Sequence, residues 1–339
     1  MIHINMFSSA DKVAGQGVGS AYLELVSLLK EKLTGEFDVT INHYGSADIT
    51  HYHTIDPQFF ISTFSKKRGR KIGYVHFLPE TIEGSLRMPK FAKKIFYWYM
   101  IKFYKRMDHL VVVNPSFIPK IEAYGIAHDK ISYIPNFVSP QEFPDRSEQD
   151  KQALREQYHF PQNKFIVFGS GQVQQRKGVD DFVQLAIKNP DVQFIWAGGF
   201  SFGPMTDGYD HFKKIVDQPP KNLLFPGIVE RTKIADYLNL ADLFFLPSYD
   251  ELFPMSVLEA FSCGVPVLLR NLELYEAIIS GKYAGADDLT GFDQQLHQLI
   301  ADPEYYDQYQ KLARSAAVQY SPDHLAVIWR QFYTEQANQ

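Results

Sequence analysis

The chain has 339 residues, with 34 Lys plus Arg against 39 Asp plus Glu, and 45% of its side chains are apolar. At roughly 150 residues per domain this length suggests two domains with separate cores, and the apolar share excludes a disordered or collagen-like chain. The longest apolar run, Ile95 to Ile101, has seven residues, far below the ~20 that span a bilayer. A single cysteine, Cys263, excludes internal disulfides and a cysteine-built zinc site. With Met1 to Phe7 ahead of Asp11 and Lys12, no signal peptide is expected. The expectation is a soluble cytoplasmic chain.

Short β-branched or aromatic runs alternate with longer helical patterns. In the first half, strands are predicted at 2–7, 37–42, 48–53, 71–76, 109–113 and 131–134. Helices are predicted between them, for example at 20–33, where Leu23, Val26 and Leu33 share a face. A polar stretch at 139–152 reads as a linker. Strands then recur at 165–169, 192–197, 222–225, 243–247 and 265–269. Alternating βα units in both halves predict an α/β protein of two doubly wound parallel sheets, with domains at 1–150 and 151–321. Ligands of such sheets sit beyond the carboxyl ends of the strands, so two facing sheets would place one in a cleft between the domains.

The motifs follow strand ends. Gly15-Gln-Gly17-Val-Gly19 opens the first helix. As a dinucleotide fingerprint it is weak, because its spacing is G-x-G-x-G and Asn42-His43 stands where a nicotinamide enzyme needs an acid. A plain turn explains it as well. His51, His53 and His76 end two strands and suit either a pocket wall or a structural role. Gly169-Ser-Gly171-Gln-Val-Gln-Gln-Arg176-Lys177-Gly178 has the form of a strand, a glycine-rich turn and a basic pair entering a helix. That order cradles a diphosphate, although the Walker A spacing is absent and a basic pair is often only solvated. Glu251 and Glu259 flank the start of a helix that runs from Pro254 to Gly264. The helix start is an anion site, so the carboxylates beside it suit sugar hydroxyls rather than phosphate. A surface helix with acidic first turns would carry the same residues. No Asp-x-Asp occurs, and Asp180-Asp181 and Asp287-Asp288 are lone pairs without a His partner, so no metal is expected. Cys263, late in that helix, reads as a small buried apolar residue.

Charge is unevenly spread. Twelve basic residues lie between Lys66 and Arg106 against Glu80 and Glu83, so this segment is +10 and the rest of the −5 chain is −15. An anionic partner follows. On a helical wheel over 90–107, Ala92, Phe96, Tyr99, Met100, Phe103 and Met107 form a docking stripe. The opposite arc carries Lys90, Lys94, Lys102, Lys105 and Arg106, interleaved with Phe91, Ile95 and Trp98, and Lys93 falls at the edge. Cations mixed with aromatics describe a helix lying in an anionic membrane surface. A solvated basic helix is the alternative. A nucleic-acid surface is disfavoured, because no binding module accompanies it and the rest of the chain is acidic.

The Glu251-x7-Glu259 pair, with Leu-Pro-Ser before it and Leu-Glu-Ala-x-x-x-Gly-x-Pro-Val after it, resembles the signature of the retaining glycosyltransferases of family four, which have the GT-B fold. The resemblance extends over nearly the whole chain and is densest over 165–267. It implies that Glu251 contacts the donor sugar together with amides near Phe253, and that Glu259 holds the ribose. Lys177 would meet the diphosphate, Ile228 would lie in the loop that reads the base, and Gly17 would approach the phosphates. His76 matches the family's strand-end histidine near the reacting sugar. The family's usual arginine is Gln172 here, and Arg176 is the candidate substitute for its charge. Segments 113–117 and 134–138 resemble recurrent structural segments, and a C-terminal helix at about 322–339 is expected to return to the first domain.

Among family members the motifs are most similar to bacterial glycolipid synthases that add a second hexose, often galactose. The implied activity is retaining transfer of galactose or glucose from a UDP-sugar to glucosyl-diacylglycerol at the cytoplasmic membrane face. No cofactor, no metal and no nucleic-acid partner are implied. The same chemistry on diacylglycerol or a polysaccharide intermediate, and a catalytically silent membrane scaffold that binds UDP-sugar, are the alternatives.

Overall fold

In the computed structural model, residues 1–10, 17–79, 89–201 and 203–339 are described. They form two units, one of residues drawn from 1–137 together with 322–339, the other of residues 138–321. The first unit is built on β1 (Ile2–Phe7), β2 (Phe37–Ile41), β3 (Ile49–Tyr52), β4 (Arg70–Val75), β5 (His109–Val112) and β6 (Ile131–Tyr133). They pair in the order β2-β1-β3-β4-β5-β6, and every pairing is parallel. The second unit is built on β7 (Ile166–Ser170), β8 (Gln193–Ala197), β9 (Leu223–Gly227), β10 (Leu243–Leu246), β11 (Val267–Arg270) and β12 (Ala284–Ala286). Their order is β12-β11-β10-β7-β8-β9, again all parallel.

Central strands are buried along their whole length, as β7, β10 and β11 are, because helices cover both faces of a parallel sheet. Each sheet has one point where the winding reverses, between β1 and β3 in the first unit and between β7 and β10 in the second. The strand ends on either side of such a point diverge and leave a crevice for ligands.

The predicted strands are present within one or two residues, and β12 is additional. Its Ala-Gly-Ala core has neither β-branched residues nor alternation, so it carries no periodic signal. The first helix is Gly17–Glu31, and its buried face is Ala21, Tyr22, Leu25, Val26, Leu28 and Leu29. Leu23 is instead 49% exposed, so the predicted shared face is shifted. The polar stretch expected as a linker belongs to the second unit. Its end forms the start of the helix Glu148–Gln157, where Ser147 caps by accepting from the Asp150 amide and Leu154 is buried. Among the described residues no helix is long and apolar enough to cross a membrane.

The C-terminal helix Pro322–Ala337 belongs to the first unit and buries Trp329 and Tyr333 completely. Tyr333 Oη lies 2.7 Å from Nδ1 of His51 on β3. His53 and His76 follow within the same aromatic cluster, with His76 Nε2 3.4 Å from His53 Nδ1 and both rings packed against Tyr74. Burial pushes His51 and His76 down to about 3, with His76 adding to the effect at His51, and His53 is lowered by burial and both neighbours. An unfolded histidine takes a proton near pH 6.5, while these folded ones resist it. Stability is therefore complete above about pH 6.5 and is lost as pH falls toward 3. From pH 7.5 to pH 5, His51 and His76 are each expected to cost about 2 kcal/mol, read as a lowered unfolding temperature of the first unit that His51→Gln partly offsets.

Candidate active site

The carboxyl ends of β7 and β10 part at the switch point of the second sheet. After β7 the chain turns through Gly171 and forms a short 3-10 turn, Gln175–Lys177. Gly178 follows with φ +68°, where a Cβ would collide with the carbonyl of Pro247 at the end of β10. Glycine at 178 thus lets the two strand ends approach and aims Lys177 at the segment after β10. Lys177 Nζ meets Glu251 Oε1 at 2.5 Å, and Arg176 Nη1 stands 4.0 Å from Glu251 Oε2. Arg176 also donates to the Asp250 carbonyl at 2.6 Å, and its own carbonyl accepts from the Tyr249 amide at 2.8 Å.

Glu251 is buried. Burial by itself would raise its carboxyl, but Lys177 and Arg176 outweigh burial and hold it below the ordinary range. Burial pulls the Lys177 ammonium down, and Glu251 opposes that pull. Lys177, Arg176 and Glu251, three of the predicted residues, thus stand together.

Glu259 lies on the helix Met255–Ser262, for which Pro254 is the N-cap rather than a first-turn residue. The helix closes as expected at Gly264, φ +67°, with the Val265 amide reaching the Ala260 carbonyl at 3.0 Å. Glu259 is buried, and burial raises its carboxyl above the ordinary range although Arg231 opposes this. Arg231 Nη1 donates to Glu259 Oε1 at 2.6 Å, while Arg231 Nε donates to Glu142 Oε2 at 3.1 Å and the guanidinium lies 4.8 Å from the Phe143 ring. Phe253 packs edge-on against Tyr320, so its ring is in the core. Ile228 follows β9, is 49% exposed, and stands beside Gly199 at the end of β8. Cys263 is fully buried, and burial raises its thiol.

Sequence reasoning missed Arg231, whose signal is a cation at the first position of the helix Arg231–Leu240, against the helix dipole. It also missed the brace behind Glu251. Asp181 accepts from Tyr249 Oη at 2.6 Å and from Arg270 Nη2 at 2.5 Å, and the Arg270 guanidinium lies 4.1 Å from the Tyr249 ring. Asp180 has a histidine partner after all, His211 at 2.7 Å, because the helix Tyr209–Asp217 brings that ring alongside.

In the first unit His76 follows β4 and is buried against His53. Gly17 begins the first helix, and Gly15 lies outside the described residues. The helix Lys90–Tyr104 buries Met100, Phe103 and Tyr104, and exposes Lys90, Phe91, Lys94, Ile95, Trp98 and Lys102. Lys105 is exposed just past its end, and Lys93 is half-buried at the edge. Arg106 departs from the outward arc. Beyond the end of the helix it turns back, donates to the Thr63 carbonyl at 3.0 Å and lies 4.2 Å from the Phe64 ring. Arg68 is likewise internal, donating to the carbonyls of Tyr44 and Gly45, and Lys71 pairs with Asp108 at 2.6 Å. Glu80, Glu83 and Arg87 of the basic segment lie outside the described residues. The exposed apolar set gains two residues not foreseen, Ile61 and Phe64, next to the exposed Lys66 and Lys67.

Comparison with known proteins gives a consistent picture. The family profile described as "Glycosyl transferases group 1" matches residues 150–316, and that described as "Glycosyltransferase Family 4" matches residues 23–142. The chain is 50% identical over 337 residues to the alpha-galactosylglucosyldiacylglycerol synthase of Streptococcus pneumoniae, covering 99% of this chain and 90% of that protein. It is 28% identical over 207 residues to the processive diacylglycerol alpha-glucosyltransferase of Acholeplasma laidlawii, covering 58% of this chain and 61% of that one. Among solved structures, Anabaena HepE in complex with UDP and glucose superposes with a TM-score of 0.77 at 15% identity, covering 98% of this chain and 100% of that chain. Sucrose-phosphate synthase from Thermosynechococcus elongatus gives 0.79 at 14% identity, covering 99% of each chain. These are two-domain α/β structures of the GT-B class.

The Lys177–Glu251 contact makes a thermodynamic demand. Lys177→Met removes the cation at 2.5 Å from the buried Glu251 carboxylate and leaves it the more distant Arg176 at 4.0 Å, and is expected to cost about 3 kcal/mol. Adding Glu251→Gln should return a good part of that loss, because the orphaned charge is gone. Denaturant midpoints of the second unit in the two variants measure both steps.

Proposed function

The chain belongs to the family-four, group 1 glycosyltransferases, and from that premise we propose that it moves galactose or glucose from a UDP-sugar to glucosyl-diacylglycerol with the α configuration retained. Supporting this reading most directly is the Lys177–Glu251 pair at the switch point, with its carboxylate buried, and Glu259 on the helix that follows. Lys177, with Arg176 behind it, meets the diphosphate charge as the nucleotide departs. Glu251, held in its charged form, accepts hydrogen bonds from donor-sugar hydroxyls, and backbone amides near Phe253 add donors. Glu259 takes the ribose diol, and Ile228 supplies an apolar edge for the base.

The acceptor hydroxyl attacks the anomeric carbon on the face from which the phosphate leaves. As the new C–O bond forms, the bond to phosphate breaks, and the departing phosphate oxygen takes the hydroxyl proton. No protein nucleophile is needed. Preorganised positive charge at Lys177 carries the stabilisation, and no metal is expected to be required. His76, at the end of β4, is the first unit's candidate contact to the reacting sugar.

The lipid acceptor is met at the cytoplasmic membrane face by the helix Lys90–Tyr104. Its exposed Phe91, Ile95 and Trp98 stand among Lys90, Lys94, Lys102 and Lys105, and Lys102 Nζ lies 5.7 Å from the Trp98 ring. Ile61, Phe64, Lys66 and Lys67 extend this surface. Each cation near an anionic leaflet contributes about 1 kcal/mol.

A screen of UDP-glucose and UDP-galactose against diacylglycerol and glucosyl-diacylglycerol, with products resolved by linkage, is expected to give an α-linked dihexosyl lipid. Glu251→Ala should lower the transfer rate by about 10²–10³, and an unchanged rate removes Glu251 from the mechanism. UDP binding with no transfer to any acceptor would identify a silent scaffold instead. Lys94→Glu with Lys102→Glu should weaken partition onto phosphatidylglycerol vesicles at least tenfold. Equal partition of the native protein at low and high salt contradicts the membrane reading.

A further inference from the structure

The first unit carries an open groove of about 410 Å³ on its surface, comparable in volume to small-ligand pockets of ~300–1,000 Å³. It is formed by residues 54–57 after β3, Phe77 after β4, and Phe96 and Tyr99 on the helix Lys90–Tyr104. Its walls are fixed by hydrogen bonds to that helix, since Tyr99 Oη donates to the Ile55 carbonyl at 2.6 Å and Tyr104 Oη donates to the Phe77 carbonyl at 2.9 Å. The lining is apolar apart from Thr54 and Asp56. Ser9, which follows β1, donates to the Asp56 carboxylate at 2.8 Å, and Thr54 Oγ1 donates to it at 2.5 Å.

The position of the groove is informative on two sides. Thr54 directly follows His53 and Phe77 directly follows His76, so the groove lies beyond the carboxyl ends of β3 and β4, beside the switch point between β1 and β3. On the other side Phe96 and Tyr99 belong to the helix whose outer arc carries Phe91, Ile95 and Trp98 among four exposed lysines. A ligand here thus reaches from the lipid-facing helix to the residues next to His76. The charges are sorted as well. Cations stand on the outer arc, where they suit anionic headgroups, while the one charged residue lining the groove is a carboxylate. A carboxylate repels phosphate and accepts hydrogen bonds from hydroxyls. A mostly apolar lining with one carboxylate at its edge suits an uncharged amphiphile better than an anionic phospholipid.

We propose that this groove binds the glycerol and the first acyl carbons of the glycolipid acceptor, with Asp56 accepting from one of its hydroxyls. The assignment rests on the glycolipid-acceptor reading above. It gives the helix Lys90–Tyr104 two tasks on two faces, holding the protein on the membrane with one and seating a single lipid drawn from that membrane with the other.

Two measurements on the full chain test it. In the first, Ile55→Trp fills the groove, and the KM for glucosyl-diacylglycerol in mixed phosphatidylglycerol vesicles is expected to rise at least tenfold. UDP affinity and vesicle sedimentation should stay at wild-type values, and an unchanged unfolding transition of the first unit shows that the variant is folded. A wild-type KM overturns the proposal. In the second, glucosyl-diacylglycerol with a photoactivatable diazirine near the acyl carbonyl is irradiated with the protein, and labelled peptides are mapped. Label is expected on Ile55, Phe77 or Phe96, suppressed by unlabelled glucosyl-diacylglycerol and not by phosphatidylglycerol. Label confined to Phe91, Ile95 and Trp98, or suppressed equally by both lipids, overturns it. If the native protein moves no hexose onto this lipid, the acceptor reading itself has failed. If it does and Ile55→Trp is indifferent, only the groove assignment has.

Discussion

A lysine and a glutamate, 2.5 Å apart and both largely withdrawn from water, are the constraint around which the second unit is arranged. Neither charge is tolerable there alone, because a buried ion without a partner costs several kcal/mol. Their meeting requires β7 and β10 to end side by side, and that requires glycine at 178, where the backbone carbonyl of Pro247 leaves no room for a side chain. The Tyr249–Asp181–Arg270 brace holds the second strand end in place. A site made this way presents positive charge at a fixed point before any ligand arrives, which is the condition for stabilising a departing diphosphate without reorganisation.

The two carboxylates of the site are set in opposite directions although both are buried. Two cations face Glu251 and keep it charged, whereas Glu259 has a single arginine that is shared with Glu142, and burial prevails. A charged acid suits a sugar whose hydroxyls only need acceptors. Arg231 pairs with Glu259, while its contact with the Phe143 ring ties it to the segment that opens the second unit.

Much of this was legible in the sequence for identifiable reasons. Strands with β-branched or aromatic residues buried on both faces read clearly, and the glycine turn and the Glu251–Glu259 spacing sit at strand ends where chemistry is expected. What did not read was contact at a distance. Nothing near His51 foretells that its ring meets Tyr333, 282 positions later. The basic run looked uniform, yet Arg68, Lys71 and Arg106 are engaged by backbone carbonyls or Asp108, leaving the exposed lysines to act outward. The short Ala-Gly-Ala strand had no pattern to find. The groove beneath Phe96 and Tyr99 is assembled from three separate stretches, none of which carries a signature by itself.

A crystal structure of the protein with UDP tests the central assignment most directly. The account predicts the diphosphate within ion-pair distance of Lys177, with the Lys177–Glu251 contact lengthened or shared, and the ribose hydroxyls hydrogen-bonded to Glu259. UDP bound elsewhere, or bound there with Lys177 and Glu259 untouched, contradicts it.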